Sequence, residues 1–349
     1  MINGNEKDYL FLKACRGEEV PRCPVWFMRQ AGRYMKEYQK IRSKFDFLTL
    51  CKTPEIAAEV TLQPVDMLGV DAAILFSDIL VVVEAMGLEV RFLEKEGPVI
   101  SEPIRNEEGM KNLFVPDIEE SLEYVMNVIK LLRKKLEGRV PLIGFSGAPF
   151  TLATYMIEGG SSKNFLYTKS MFNKEPALFL KLMEKISQTV SYYLKAQIKA
   201  GAQALQIFDT WAGILSPDDF VQFELPFVKQ IISYINEPSV PIIYFVNTCC
   251  GLLEQIKTSG ADVIGIDWRI SMSDAVQRLG KNFVVQGNLD PCALFSPVNK
   301  IEEQVKKILE NGHYAKGHIF NVGHGILPQT PVENVKAVVE MVHRFGVKE

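Results

Sequence analysis

The sequence predicts an α/β protein folded as a single (β/α)8 TIM barrel, and three observations carry that prediction. Short apolar runs alternate with longer helical patterns, which calls for parallel sheet. Eight such runs occur, and eight units favour a closed barrel over an open sheet. Most runs are continuously apolar, as strands buried on both faces must be.

The runs lie at residues 25–28, 72–76, 142–145, 204–208, 242–246, 262–266, 283–285 and 318–320. Helices between them carry start and stop signals. Ser216-Pro217-Asp218-Asp219 supplies an N-cap, a proline at the first helical position and an acid three residues after the cap. Thr330-Pro331-Val332-Glu333 repeats the device, and Thr53-Pro54 opens another helix. Residues 177–200 form an amphipathic helix, with Gly201 where a C-terminal glycine belongs. Residues 88–104 break the pattern. They read as a β-hairpin with Glu96-Gly97 near its turn, an excursion after the second strand.

Length and composition agree. A chain of 349 residues exceeds the ~250 typical of a barrel, yet barrels of this size remain one domain, so residues 1–349 are read as a single unit. Apolar residues make up 47% and charged residues 23%, ordinary for a globular protein. With 39 basic against 42 acidic residues the net charge is −3, which argues against nucleic-acid or membrane-surface partners. An anionic ligand would have to be met by a few local arginines. The six cysteines form no Cys-x-x-Cys pair, so reduced thiols in a cytoplasmic setting are expected. Residues 1–20 lack the basic and apolar regions of a signal peptide, and no window approaches the ~18–20 apolar residues of a membrane helix.

In a barrel the active site gathers at the C-terminal ends of the strands. The residues that follow the eight runs are, in order, Arg29, Gln30, Gly32, Arg33 and Tyr34; Ser77 and Asp78; Ser146, Gly147 and, further on, Tyr155; Asp209 and Thr210; Asn247; Asp267; Gln286, Gly287 and Asn288; and Asn321, Gly323 and His324. The set is poor in common catalytic devices. The four histidines form no metal-ligand pattern, Ser146 lacks the nucleophile elbow, and no glycine-rich phosphate loop occurs. Two arginines four apart, an aspartate, a tyrosine and a histidine remain. They suit binding a polyanion and stabilising a cation, with neither cofactor nor metal. Each has a plainer alternative. Arg29 and Arg33 could be structural ion pairs. Asp78 or Thr210 could cap a helix. Tyr155 could be core. His324 could bond a turn, and Cys249-Cys250 could be packing.

The segment from Pro24 to Tyr34, PVWFMRQAGRY, resembles the first signature of the uroporphyrinogen decarboxylase family, and Ile143 to Leu152 resembles its second. Phe76 to Leu80, Gln206 to Trp211, Gln286 to Pro291 and Phe320 to Ile326 follow in the same order, so the likeness spans nearly the whole chain. The resemblance implies a cofactor-independent homodimer that decarboxylates the four acetates of uroporphyrinogen III to give coproporphyrinogen III. It implies a substrate-binding loop of Arg29, Gln30, Ala31, Gly32 and Arg33, with Arg29 orienting the acetate and assisting proton delivery. Asp78 would bind the pyrrole N–H groups, and Tyr155, Thr210 and His324 would contact the substrate. Two departures stand out. Where the family commonly has Leu-Pro-Glu-Tyr-Arg, this chain has Met35-Lys36-Glu37-Tyr38-Gln39, which lacks the proline and one arginine. Position 210 is threonine where serine is also usual. Two rivals are a zinc-dependent corrinoid:thiol methyltransferase of the same superfamily and a non-enzymatic tetrapyrrole carrier. The first needs a His-x-Cys pair and a later Cys, where this chain has Thr248, Cys250 and His324. The second would need the arginines but not Asp78.

Overall fold

The computed structural model describes residues 9–93 and 97–347. Seven parallel strands form one sheet in chain order: β1 (Ala73–Ile74), β4 (Leu142–Gly147), β5 (Ala204–Asp209), β6 (Ile242–Val246), β7 (Val263–Gly265), β8 (Val284–Gln286) and β9 (Gly317–Ile319). Between β1 and β4, β2 (Val90–Leu93) pairs antiparallel with β3 (Gly97–Ile100), Val90 opposite Ile100. This is the hairpin expected after the second apolar run. Glu96, placed near its turn, lies outside the described residues.

The first apolar run departs from expectation. Instead of an eighth regular strand it is an extended segment with a single parallel bridge, Val25 to Phe320. It still reaches both edges of the sheet. Phe320 N–H donates to Pro24 O at 2.8 Å, and Asp71 N–H donates to Val25 O at 2.8 Å. The chemistry explains the short pairing. Pro24 has no N–H to give a ladder. The Val25 N–H is taken by the Asp71 carboxylate at 2.8 Å. Asp71 is fixed in turn by a two-pronged bond from Arg22 at 2.7 and 2.8 Å.

Strand interiors are apolar and buried, with one polar ladder crossing between them. Trp26 Nε1 donates to Gln286 Oε1 at 2.9 Å, and Gln286 Nε2 donates to Gln206 Oε1 at 3.2 Å. Outside the sheet, helix Pro176–Ala200 buries Leu182, Ile186, Val190 and Leu194. Each such side chain contributes roughly 1.5–3 kcal/mol of burial. Gln197 fastens the helix to β4, bonding both N–H and C=O of Phe145 at 2.8 Å. Position 144 must then be glycine, because a Cβ there would lie 2.2 Å from Gln197 Oε1.

The helix signals meet mixed outcomes. Ser216 accepts the Asp219 N–H at 3.1 Å, as its pattern requires. Helix Pro54–Leu68 opens at its proline, but Thr53 makes no side-chain cap. Helix Val332–Phe345 starts after Pro331, and the Thr330 hydroxyl is buried with no hydrogen-bond partner among the described residues. The final helix is thus set by packing and by proline, not by a threonine cap. All six cysteines are free. Among the described residues no helix is long and apolar enough to cross a membrane.

Candidate active site

The residues at the strand ends form a ring of contacts around one mouth. The ring begins at Arg29, in the turn after the first apolar run. Its backbone is left-handed, with φ of 60°, a conformation uncommon for residues other than glycine. The loop that holds it is self-bonded. Gln30 Oε1 accepts from Phe27 N at 3.1 Å, Gln30 Nε2 donates to Ala72 O at 3.1 Å, and Tyr34 OH donates to Gln30 O at 2.6 Å. Met35 N–H closes on Gly32 O at 3.0 Å. The buried Gln30 side chain is therefore occupied in shaping the loop. Ala31 and Gly32 are half-buried along it, and Arg29 and Arg33 are exposed.

Arg29 and Arg33 make no ion pair or side-chain hydrogen bond among the described residues, whereas Arg22, Arg139 and Arg278 are all paired with carboxylates. The structural ion-pair alternative does not describe these two. Arg29 lies across Gly325, where a Cβ would come within 2.3 Å of its Cδ. His324 is thereby brought beside Arg29. Burial first, then the charges of Arg29 and Arg269, push its imidazole down to about 4, so it is neutral at physiological pH. On the other side of His324, Gly323 is sterically required, because a Cβ there would lie 2.4 Å from Trp268 N. The His324 ring stacks on Trp268 with centroids 6.2 Å apart and planes 23° apart.

Asp78 stands in the loop after β1. Its Oδ1 accepts the Leu80 N–H at 2.8 Å, a local turn bond, while helix Val81–Ala85 has no side-chain cap. Oδ2 makes no hydrogen bond among the described residues. Burial raises the Asp78 carboxyl to about 6, moderated by the Leu80 N–H and the nearby Arg29 charge. Tyr155, on helix Pro149–Glu158, is half-buried within reach of both the Asp78 and Arg29 charges, and its hydroxyl is pushed up, mainly by burial. Its ring packs 6.0 Å from that of Trp211, which also meets Phe165 at 5.2 Å. Thr210 is the neighbour of Trp211. Its carbonyl accepts from Asn247 at 3.3 Å, and Asn247 Oδ1 accepts from Arg269 at 3.0 Å, which brings the ring back to Trp268.

Sequence reasoning missed Arg269, Trp268 and the support beneath Trp211. Arg269 stands two residues past Asp267, where the reading of strand ends stopped. The support is a buried acid pair. Asp209 accepts from Thr151 Oγ1 at 2.6 Å and Tyr244 OH at 2.8 Å, and Thr151 Oγ1 also receives the Trp211 N–H at 3.1 Å. Glu224 is raised well above an ordinary carboxyl, first by burial and then by the Asp209 charge.

Comparison with known proteins decides the family. A family model described as uroporphyrinogen decarboxylase matches residues 6–345. A uroporphyrinogen decarboxylase of Carboxydothermus hydrogenoformans is 54% identical over 336 residues, 96% of each chain. One from Geobacter metallireducens is 53% identical over 338 residues, covering 97% of this chain and 99% of the relative. The chain belongs to the uroporphyrinogen decarboxylase family. A methyltransferase from Methanosarcina mazei shares the fold, with a TM-score of 0.81 over 97% of this chain and 98% of its own at 24% identity.

Against the family pattern, the departures at 35–39 have a local answer. Met35 is fully buried, and Gln39 Nε2 donates to the Arg33 carbonyl at 2.6 Å. A glutamine thus holds the loop from below. Cys249 is also accounted for, its thiol donating to Asp267 at 3.3 Å, while Arg278 bonds the Cys250 carbonyl at 2.7 Å.

Proposed function

We propose that this member of the uroporphyrinogen decarboxylase family converts the four acetate side chains of uroporphyrinogen III to methyl groups, giving coproporphyrinogen III, without a cofactor or metal. One observation carries the reading: the half-buried Asp78 carboxylate makes no ion pair among the described residues, and it lies close to Arg29, which like Arg33 has no counter-ion there. A site built only to bind a polyanion has no use for that acid. A site for a macrocycle with converging pyrrole N–H groups does, because one carboxylate accepts from several donors.

The chemistry needs an electron sink. Protonation of a pyrrole at its α-carbon makes the ring cationic and iminium-like. The bond from the acetate methylene to CO2 then breaks, and its electron pair flows into the ring. The methylene carbon takes a proton to become methyl, and the α-carbon gives one up. The substrate supplies the electrophile that a cofactor would otherwise bring. Arg29 orients the reacting acetate and assists proton delivery, and Arg33 clamps a second carboxylate. The Gln30-Ala31-Gly32 turn sets their spacing. Asp78 holds the pyrrole N–H groups and offsets the positive charge as it forms, in a site shielded from water. Tyr155, Thr210 and neutral His324 line the ring. We place the reaction in one barrel domain spanning residues 1–349, in a reducing cytoplasmic compartment consistent with six free thiols, and in a homodimer.

The test is Asp78→Asn beside Asp78→Glu. Asn removes the charge and keeps the shape, so kcat should fall by ~10²–10³. Glu keeps the charge in a shifted place and should lose less. A fully active Asn variant would remove Asp78 from the mechanism, since Asn caps a turn as well as Asp does.

A further inference from the structure

Arg269 is built as a binding group, although no strand-end pattern marks it. Its Nη1 donates to Asp267 Oδ2 at 2.5 Å and to Asn247 Oδ1 at 3.0 Å. Its guanidinium lies 3.7 Å over the Trp268 ring. Asp267 is fully buried, while the Arg269 side chain keeps 41% of its surface exposed. Asp267 also accepts the Cys249 thiol at 3.3 Å, so its charge is hidden and occupied. Nε and Nη2 of Arg269 make no hydrogen bond among the described residues. One side of the fork is thus anchored and stacked, and the other is open at the mouth. A flexible surface arginine would lose rotamer freedom on binding, whereas this one has already lost it. Arg269 and Arg29 both lie close enough to His324 for their charges to act on its imidazole.

We propose that Arg269 holds a propionate of the macrocycle, at a place distinct from Arg29 and Arg33. The inference rests on the reaction proposed above. Each acetate is lost in turn, but the propionates survive all four rounds. A fixed arginine therefore keeps its partner through every round only if that partner is a propionate. Binding at both places would also keep the ring plane constant while successive acetates come to Arg29.

Coproporphyrinogen III carries propionates and no acetates, so it probes the contact without turnover. Its binding to the intact protein, under anaerobic conditions, is read by quenching of tryptophan fluorescence. Arg269→Gln should weaken binding about ten-fold or more, the usual effect of losing a charge-assisted bond. Arg269→Lys should restore only part of it, because an ammonium cannot reproduce the fork. In turnover of uroporphyrinogen III, KM should rise by more than kcat falls. A double variant, Asp267→Asn with Arg269→Gln, separates binding from shielding. If Arg269 merely masks the Asp267 charge, the double variant regains wild-type affinity and the proposal falls. Equal affinity of wild type and Arg269→Gln, or weakening confined to the octacarboxylate substrate, also overturns it. Wild-type turnover in the same preparation reports on the reaction independently, since affinity for coproporphyrinogen III does not require it.

Discussion

At the scale of residues, Asp78 decides most. Its carboxyl is raised to about 6, chiefly by burial, above the ordinary 3.8. A raised acid holds its proton longer in the folded protein than in the unfolded chain. Between pH 4 and 6 the folded state binds more protons, so this group's contribution to stability declines as pH rises through that window. Asp78→Asn should therefore melt at the same temperature as wild type or higher at pH 7, with the gap closing near pH 4. A variant that melts lower at pH 7 would mean that Asp78 is structural. In kcat/KM the same group should give an acidic limb with an apparent pKa of about 6, because the neutral acid cannot offset a ring cation. The proposed reaction divides the work between the arginines. Arg33→Ala should chiefly raise KM, and Arg29→Ala should raise KM and lower kcat. A normal KM in Arg33→Ala would contradict its part as a clamp. These residues were legible because each stands within a few positions of the end of an apolar run and inside a segment that carries the family resemblance. What the sequence could not show is that Arg29 and Arg33 lack counter-ions, or that Arg269 has one through Asp267. Those facts depend on neighbours distant in the chain.

At the scale of elements, the loop Asn321 to Gly325 touches both Arg29 and Trp268. The sequence shows a histidine between two glycines, and only the fold shows why. Gly325 yields space to the Arg29 side chain, and Gly323 yields space to the Trp268 backbone. The two positions should fail differently. Gly325→Ala displaces the flexible Arg29 side chain, to which the proposed reaction gives the acetate, so activity should fall up to ~10²-fold with little change in melting temperature. Gly323→Ala meets backbone at 2.4 Å, so it should destabilise the fold by about 1–3 kcal/mol. Melts and rates on the pair check this, and a reversed pattern would refute the assignment. Among the regular elements, continuous apolar character placed seven strands to within a residue or two. The first run failed as a strand because Pro24 and the Asp71 side chain remove ladder bonds, and composition does not reveal that. Thr330 failed as a cap because the helix begins one residue later, with Pro331 at the N-cap position, and the Thr330 hydroxyl is left without a partner among the described residues.

At the scale of the whole molecule, the sheet runs from β1 to β9 in chain order, and the Pro24–Trp26 segment bonds to residues at both edges. That connection sets Arg29 beside His324 and Asp78, though the three are far apart in sequence. The order of units was readable from alternation alone, but the meeting of the first and last required the resemblance or the fold. The homodimer proposed for this family member should sediment at about twice the 39.4 kDa mass of the chain, and monomer alone at micromolar concentration would count against it. The most direct test of the proposed reaction follows the carboxyl count of the product. Purified protein is given uroporphyrinogen III anaerobically with excess EDTA, and the products are oxidised and separated by carboxyl number. Cofactor-independent decarboxylation predicts passage from eight carboxyl groups through seven, six and five to four, at a rate unchanged by the chelator. Persistence of the octacarboxylate, or activity lost to EDTA and restored by zinc, would contradict it.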